Sequence, residues 1–355
     1  MPPLFPRRPA RGRVPLLNSA CPWASTKEDL ETLWANPYTD AMTTRTATLH
    51  GFPDQADLHQ VAFFGEEAHS SINSYGYSPF PLTKYLGWLG EIFLRSPARG
   101  GQQEKQLIVS ITGSLPETEE MLRMLQRFAE EVGRVVAVEF NMSCPNIPGH
   151  PPPAYHQDAL VEYLQMLAGH ATPNLLMGIK LPPFTYQDQF EAVVNGLRSI
   201  GSSDAAQHPI SFLTTTNTLG HGLVFAEQET AVPLDRASSD RPKTATRRET
   251  AVPSTLSVSD AASVPTVGGW GGVAGSTLHP LSLGNVAKLA LLLRSEEQRD
   301  RRLREITIIG VGGARDAESV ERFRRAGADA VACATALGRE GPAVFAKMSG
   351  GQSRL

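Results

Sequence analysis

Three asparagines that suit a planar polar ligand follow strand-like apolar runs of the sequence. Asn141 and Asn146 come after one such run, and Asn217 comes after another. An asparagine side chain offers two N–H donors and one acceptor without a charge, which matches a ring that carries carbonyl and N–H groups. One asparagine alone would more simply cap a helix or hold a turn. Three of them at strand ends favour a shared ligand.

Two further side chains in this group could take part in acid–base chemistry. Cys144 lies between Ser143 and Pro145, and a thiol has a pKa that a protein can tune to remove a proton from carbon. Lys180 ends the apolar run LLMGI and would bring a positive charge to the same edge, where an anionic ring or phosphate could neutralise it. The alternative, a buried structural cysteine, fits Cys333 better, because that residue lies within a strand-like run.

Glycine-rich turns supply a candidate phosphate site. Gly312 and Gly313 follow the seventh strand-like run, Ala334 and Thr335 follow the eighth, and residues 268–276 (GGWGGVAGS) precede a helix. Loops after the last two strands of an α/β barrel commonly bind phosphate through backbone N–H groups. No Walker A or GxGxxG motif opens a helix after a first strand, which argues against a nucleotide bound in the Rossmann manner.

The elements that must position these residues alternate along the chain. Eight apolar or β-branched runs are predicted strands: 14–18, 39–43, 106–111, 135–140, 175–180, 211–215, 306–310 and 328–333. Amphipathic stretches between them are predicted helices: 116–132, 157–169, 187–200, 283–294 and 316–326. Eight βα units predict a single (β/α)₈ TIM barrel over residues 14–350, with the active site at the carboxyl ends of the strands.

Two segments do not fit the alternation. Residues 226–267 are rich in Ser, Thr, Ala, Pro and charge, and they repeat the letters ETAVP at 229–233 and 249–253. This composition predicts a disordered, low-complexity insertion after strand six. Residues 1–13 are basic and contain four prolines, which oppose a helix and predict a disordered leader.

Composition excludes several kinds of partner. The 355 residues are 41% hydrophobic, enough for a large core, and the net charge of −3 opposes a nucleic-acid surface. The three cysteines, Cys21, Cys144 and Cys333, are too scattered for a disulfide framework or a metal site. No run of about 18 apolar residues is present, so we expect no membrane partner and a cytoplasmic protein.

Several motifs together resemble one enzyme family. NMSCPNIPG at 141–149, GIKLPP at 178–183, NTLGHGL at 217–223, GVGGARD at 310–316 and ATALGREGP at 334–342 occur in the order seen in class 1 dihydroorotate dehydrogenases, especially the fumarate-using branch. SINSYGY at 71–77 resembles the substrate loop of that family. The resemblance runs from about Pro15 to Lys347 and is interrupted by the insertion.

The resemblance implies an FMN enzyme that oxidises dihydroorotate to orotate in pyrimidine synthesis, with fumarate as electron acceptor and a homodimer as the assembly. Cys144 would be the base that removes the C5 proton, and Lys180 would contact the flavin. Implied substrate-binding residues are Arg45, Asn73, Tyr75, Gly76, Tyr77, Asn141, Asn146, Asn217 and Thr218. Implied FMN-binding residues are Ala20, Cys21, Arg45, Thr46, Asn141, Lys180, Thr216, Gly275, Ser276, Gly312, Gly313, Ala334 and Thr335.

Departures from the family pattern keep two alternatives open. Arg45 replaces a lysine of the family, Tyr77 begins a changed end of the substrate loop, Ala20-Cys21 replaces a Ser-Gly pair, and His279 replaces a lysine. Arginine keeps the charge but presents a wider fork. One alternative is an FMN oxidoreductase that acts on another small cyclic or unsaturated acid. The other, from a different class, is a non-catalytic barrel with a binding or regulatory role.

Overall fold

The computed structural model describes residues 2–5, 12–55, 58–95, 105–143, 152–201, 206–230, 270–296 and 298–352. Its strands are β1 (Leu16–Asn18), β2 (Ala41–Thr43), β3 (Val61–Phe64), β4 (Ser70–Asn73), β5 (Gln106–Ile111), β6 (Val136–Asn141), β7 (Leu175–Leu181), β8 (Ile210–Thr215), β9 (Leu219–Gly222), β10 (Gly271–Gly275), β11 (Thr307–Val311) and β12 (Ala330–Cys333).

The helices follow the barrel strands in alternation. They are α1 (Lys27–Ala35), α2 (Leu82–Arg95), α3 (Leu115–Val132), α4 (Gln157–His170), α5 (Gln187–Ser199), α6 (His279–Arg294), α7 (Ala317–Ala326), α8 (Thr335–Glu340) and α9 (Val344–Met348). The first two helices were not predicted. A capping box between Thr26 and Asp29 starts α1, and α2 contains two glycines that weaken its helical signal.

Eight parallel strands form the barrel in the order β1-β12-β11-β8-β7-β6-β5-β2. The two end strands of this order meet at a seam that the buried side chain of Asn18 bridges. The Thr43 N–H donates to Asn18 Oδ1 at 3.0 Å, and Asn18 Nδ2 donates to the Thr43 carbonyl at 2.5 Å. The predicted (β/α)₈ barrel is confirmed, and every predicted strand overlaps an observed one.

The barrel interior is filled by side chains that alternate along the strands. Ile108, Leu176 and Phe212 belong to one buried interior cluster, while their sequence neighbours pack outward against the helices. A Cβ atom on Gly178 would lie 2.3 Å from the Phe212 ring. Glycine is therefore needed at that position, because it leaves room for the phenylalanine ring inside the barrel.

The amino-terminal end of the barrel is covered by part of the segment predicted as a disordered leader. Leu4 and Phe5 are 4% and 2% exposed and belong to the interior cluster. The Phe5 N–H donates to Thr307 Oγ1 at 3.4 Å, at the first residue of β11. These two apolar residues are packed rather than disordered, because burying them removes their surface from water.

A second, four-stranded antiparallel sheet lies beside the carboxyl ends of the barrel strands, in the order β3-β4-β10-β9. It was not predicted. The glycine-rich stretch expected as a loop forms β10 from Gly271, and the start of SINSYGY forms β4. Gly275 pairs with Ser70 in this sheet, so residues far apart in sequence meet above the barrel.

The predicted insertion begins later than its composition indicates. Glu229 bridges Phe64, and the Thr230 N–H donates to the Phe63 carbonyl at 2.9 Å, so residues 226–230 pack along β3. Residues 231–267 lie outside the described residues. Among the residues that the structure does describe, no helix is long and apolar enough to cross a membrane.

Candidate active site

Two adjoining cavities open at the carboxyl ends of the barrel strands. The glycine-lined cavity, with about 510 Å³ of open space, is bordered by Gly275, Gly312 and Gly313. The Arg45 cavity, with about 710 Å³, is bordered by Arg45, Trp23 and the second sheet. The two cavities share the wall residues Ala20, Lys180, Asn217, Thr218, Ala274, Ala334 and Thr335. One elongated ligand could therefore extend through both.

Lys180 is a buried cation in the shared wall. It is 3% exposed, and its Nζ donates to Ser19 Oγ at 3.0 Å and to the Ala20 carbonyl at 3.5 Å. In the described part of the chain no carboxylate forms an ion pair with this ammonium. Burying a charge without a counter-charge is costly, so the position favours an anionic or electron-rich ligand.

Arg45 is a second buried cation and lies in the Arg45 cavity. It is 6% exposed, its Nη1 donates to Ser25 Oγ at 3.4 Å, and its Nη2 donates to the Gly76 carbonyl at 3.4 Å. The guanidinium lies 5.3 Å from the centroid of the Tyr75 ring. Over the described ranges it has no acidic partner either. The cavities thus contain two positive charges. Only a ligand, or residues outside the described ranges, could neutralise them.

The asparagines at the ends of β6 and β8 meet, as their position after strands predicted. Asn217 Nδ2 donates to Ser143 Oγ at 2.9 Å and lies 3.4 Å from Asn141 Oδ1. Asn141 Nδ2 in turn donates to Thr46 Oγ1 at 3.1 Å. Asn73 comes from the second sheet, where its Nδ2 donates to the Gly272 carbonyl at 3.2 Å. These amides give the Arg45 cavity a neutral polar lining.

The glycine-lined cavity needs glycine at three positions. Gly275, Gly312 and Gly313 have φ values of +78°, +128° and +80°, which side chains disfavour. A Cβ atom on Gly312 would lie 2.0 Å from Ser282 Oγ, and one on Gly275 would lie 2.2 Å from the His69 carbonyl oxygen. The bare backbone of these turns borders the cavity, and backbone N–H groups in such turns bind anions.

Aromatic residues and a buried thiol border the Arg45 cavity. Trp23 packs against Phe63 with ring centroids 6.2 Å apart, and Gly338 leaves space for it, since a Cβ there would lie 2.1 Å from the indole. Burial raises the pKa of Tyr75 above its usual range and raises the pKa of the Cys21 thiol to about 12. Both groups therefore stay protonated near neutral pH.

Most of the residues implied by the resemblance line these cavities. Besides those described above, they are Ala20, Thr46, Gly76, Tyr77, Thr216, Thr218, Ser276, Ala334 and Thr335. Cys144 and Asn146 lie outside the described residues. Sequence reasoning missed Trp23, His69, Ser71 and Arg315, which also border the cavities. Of these, His69 and Ser71 lie on or beside β4, a strand that the sequence pattern did not predict.

Two curated proteins named as dihydroorotate dehydrogenases are similar over nearly the whole chain. The dihydroorotate dehydrogenase (fumarate) of Trypanosoma cruzi (strain CL Brener) is 28% identical over 339 residues, covering 94% of this chain and 87% of that protein. The dihydroorotate dehydrogenase A (fumarate) of Lactococcus lactis subsp. lactis (strain IL1403) is 26% identical over 332 residues, covering 93% and 86%. No family model matches the chain.

Solved structures support the fold. A crystal structure of DHODH from Eimeria tenella in complex with ferulenol superposes with a TM-score of 0.60 at 17% identity, covering 95% of this chain and 79% of that one. The ligand-free structure from the same organism gives the same TM-score at 16% identity. At these identities the match concerns the fold alone. The chain is therefore similar in sequence to proteins named dihydroorotate dehydrogenase (fumarate) and similar in fold to solved DHODH structures, in agreement with the resemblance of its motifs.

Proposed function

We propose that this chain is an FMN-dependent oxidoreductase that oxidises (S)-dihydroorotate to orotate in pyrimidine biosynthesis and passes the electrons to fumarate. The observation that carries the proposal is the pair of buried cations, Lys180 and Arg45, without a carboxylate partner among the described residues, in cavities bordered by amides. The names of the curated relatives supply the substrate and the acceptor.

The residues that line the joined cavities suit FMN. The bare turns of Gly275, Gly312 and Gly313 suit the terminal phosphate, because a side chain at these positions would collide with its surroundings. Lys180 in the shared wall would lie along the flavin ring and stabilise negative charge on it. Thr46, Thr216 and Thr335 border the same space and offer hydroxyl groups. When bound, FMN supplies the acceptor for the hydride that leaves C6 of dihydroorotate.

The substrate would occupy the Arg45 cavity. Arg45 suits the carboxylate of dihydroorotate, and Asn73, Asn141 and Asn217 suit the carbonyl and N–H groups of its ring. Cys144 would take the C5 proton as the general base, and Asn146 would add a further ring contact. Ser143, the residue before Cys144 in the sequence, is buried, and its Oγ donates to Oδ1 of Asn141, which borders the Arg45 cavity.

Arg45 and Trp23 motivate a second candidate, an FMN oxidoreductase that acts on another small cyclic or unsaturated acid. Arg45 is fixed by Ser25, Gly76 and Tyr75, and the indole of Trp23 narrows the same cavity. A fixed guanidinium selects a carboxylate by its bidentate geometry, but it does not select the ring behind that carboxylate.

Steady-state assays separate these candidates. Purified protein should release FMN when denatured, and should form orotate from dihydroorotate when fumarate is added. Protein that releases FMN but forms no orotate would favour the second candidate. Protein that binds no flavin would favour a non-catalytic barrel. We propose a cytoplasmic homodimer without nucleic-acid or membrane partners, and light scattering coupled to size-exclusion chromatography tests the dimer.

A further inference from the structure

His279 contacts the back of a glycine turn that borders the glycine-lined cavity. It is the first residue of α6 and is itself half-buried outside the cavity lining. Its Nδ1 lies 2.8 Å from the Gly312 carbonyl oxygen, and its Nε2 lies 3.1 Å from Nε of Arg322. The imidazole also meets the Phe323 ring edge-on, with centroids 5.1 Å apart. Both ring nitrogens are therefore engaged.

These two partners define the protonation state of the imidazole. A carbonyl oxygen only accepts hydrogen bonds, so Nδ1 must carry the proton that it shares with Gly312. The Nε–H of an arginine only donates, so Nε2 must be the unprotonated acceptor. The contacts are satisfied together only by a neutral imidazole with its proton on Nδ1. An imidazolium would direct a second N–H toward the Arg322 guanidinium.

The contact with Gly312 orients the next peptide N–H. The carbonyl of Gly312 and the N–H of Gly313 belong to one planar trans peptide and point in opposite directions. When His279 holds the carbonyl on the α6 side, the Gly313 N–H is directed away from α6. Gly313 borders the glycine-lined cavity, and a Cβ atom there would lie 2.7 Å from the His279 Cβ, so the turn and the imidazole are closely packed.

We propose that neutral His279 is a positioning residue that directs the Gly313 amide toward the phosphate of the cofactor, and that protonation of His279 turns Nε2 into a donor that the Arg322 cation repels, which displaces the ring and loosens this turn. This inference rests on the proposed function, because it takes the ligand to be FMN. It adds a residue behind the binding surface and makes phosphate binding sensitive to acid.

The charges around His279 favour the neutral form at neutral pH. Burial lowers the pKa of His279 below its usual value of 6.5, and the Arg322 and Arg315 cations lower it further. The Gly312 contact and Asp316 act in the opposite direction. Glu318 accepts a bond from Arg322 at 2.7 Å and holds that cation beside the imidazole. His279 therefore becomes protonated at lower pH than an ordinary histidine, and the turn weakens as the pH falls through that lowered pKa.

The test compares flavin affinities of the wild type and His279→Asn across pH 8 to pH 5. Asparagine can donate a hydrogen bond to the Gly312 carbonyl but does not titrate, so it should keep the affinity of the wild type at pH 8. Between pH 8 and pH 5, the affinity of the wild type for FMN should fall roughly tenfold more than the affinity of the variant. A tenfold change is the typical net effect of one hydrogen bond. The phosphate of FMN itself titrates near pH 6, and the comparison of two proteins with one ligand cancels this effect.

Riboflavin and two further variants make the result specific. Riboflavin lacks the phosphate, so its affinity should show no difference in pH dependence between the two proteins. Arg322→Met removes a cation that opposes protonation and should move the wild-type transition to higher pH. Arg324→Met, on the same helix but paired with Glu321, should leave the transition in place.

Two results would overturn the inference, and they are distinguishable. Parallel pH profiles of the wild type and His279→Asn, or an unmoved transition in Arg322→Met, would remove His279 from phosphate binding while leaving the flavin site intact. Failure of the wild type to bind either flavin at pH 8 would overturn the proposed function, and the inference with it.

Discussion

Replacing Lys180 by Met should make the flavin-free protein more stable while it weakens flavin binding. The Lys180 ammonium is 3% exposed and has two hydrogen-bond partners, at 3.0 Å and 3.5 Å, with no carboxylate among the described residues. Dehydrating an unpaired ammonium costs several kcal/mol, and even replacing a buried ion pair by apolar groups often stabilises a protein by about 1–4 kcal/mol. We expect Lys180→Met to raise the free energy of unfolding by about 1–3 kcal/mol.

Lys105 provides a matched control, because it is a buried lysine with a structural role. It is 8% exposed, and its Nζ donates to the Leu33 and Asn36 carbonyls at 3.0 Å and 2.8 Å and to Thr39 Oγ1 at 2.7 Å. These carbonyls lie at the end of α1, where a cation is favourable. Lys105→Met should therefore lower the free energy of unfolding by about 2–4 kcal/mol.

The assay is urea unfolding of the flavin-free wild type and of both variants at one pH, followed by titration with FMN. If Lys180→Met destabilises the protein as much as Lys105→Met, Lys180 has a structural role. Its charge would then serve the fold and not a ligand. Unchanged FMN affinity in Lys180→Met would contradict a role in ligand binding independently of stability.

Three further predictions concern the substrate and the insertion. The variant Cys144→Ala should bind FMN, but its flavin should be reduced by dihydroorotate about 10² to 10⁴-fold more slowly. Cys144→Ser should keep a little activity, shifted to higher pH. Unchanged stopped-flow kinetics in Cys144→Ala would exclude Cys144 as the base. Arg45→Lys should preserve dihydroorotate turnover, since a lysine keeps the charge. A loss of about 1.5–3 kcal/mol in the binding free energy of dihydroorotate would indicate a pocket that requires the guanidinium. Replacing residues 232–267 by a short Gly/Ser bridge should leave the barrel folded. Gly222 pairs with Gly271 across the gap, and each doubling of loop length costs only about 0.6 kcal/mol of folding free energy. A much lower thermal midpoint would show that the segment packs on the core.

The barrel was predictable because its strands are buried on both faces. Runs such as QLIVSI at 106–111 and LLMGIK at 175–180 are almost continuously apolar, as parallel strands covered by helices are. Their carboxyl ends meet in any such barrel, so Asn141, Lys180 and Asn217 were predictable as neighbours.

The second sheet and the amino-terminal cover were not predictable from local patterns. The strand at Ser70–Asn73 has four residues, and the strand at Gly271–Gly275 contains three glycines, which are depleted from strands. Their pairing joins residues about two hundred positions apart, and no local signal encodes that contact. Leu4 and Phe5 stand among prolines and arginines, so composition concealed their burial. Trp23 was missed for a related reason, since only the fold brings it to the cavity.

An anaerobic titration of the purified protein with dihydroorotate tests the central claim most directly. If the joined cavities hold FMN and dihydroorotate, the yellow colour of the flavin should bleach with about one equivalent of substrate, and fumarate should restore it. Flavin that is present but keeps its colour with excess dihydroorotate would contradict the substrate assignment. A colourless protein that gains no colour from added FMN would contradict the flavin site itself.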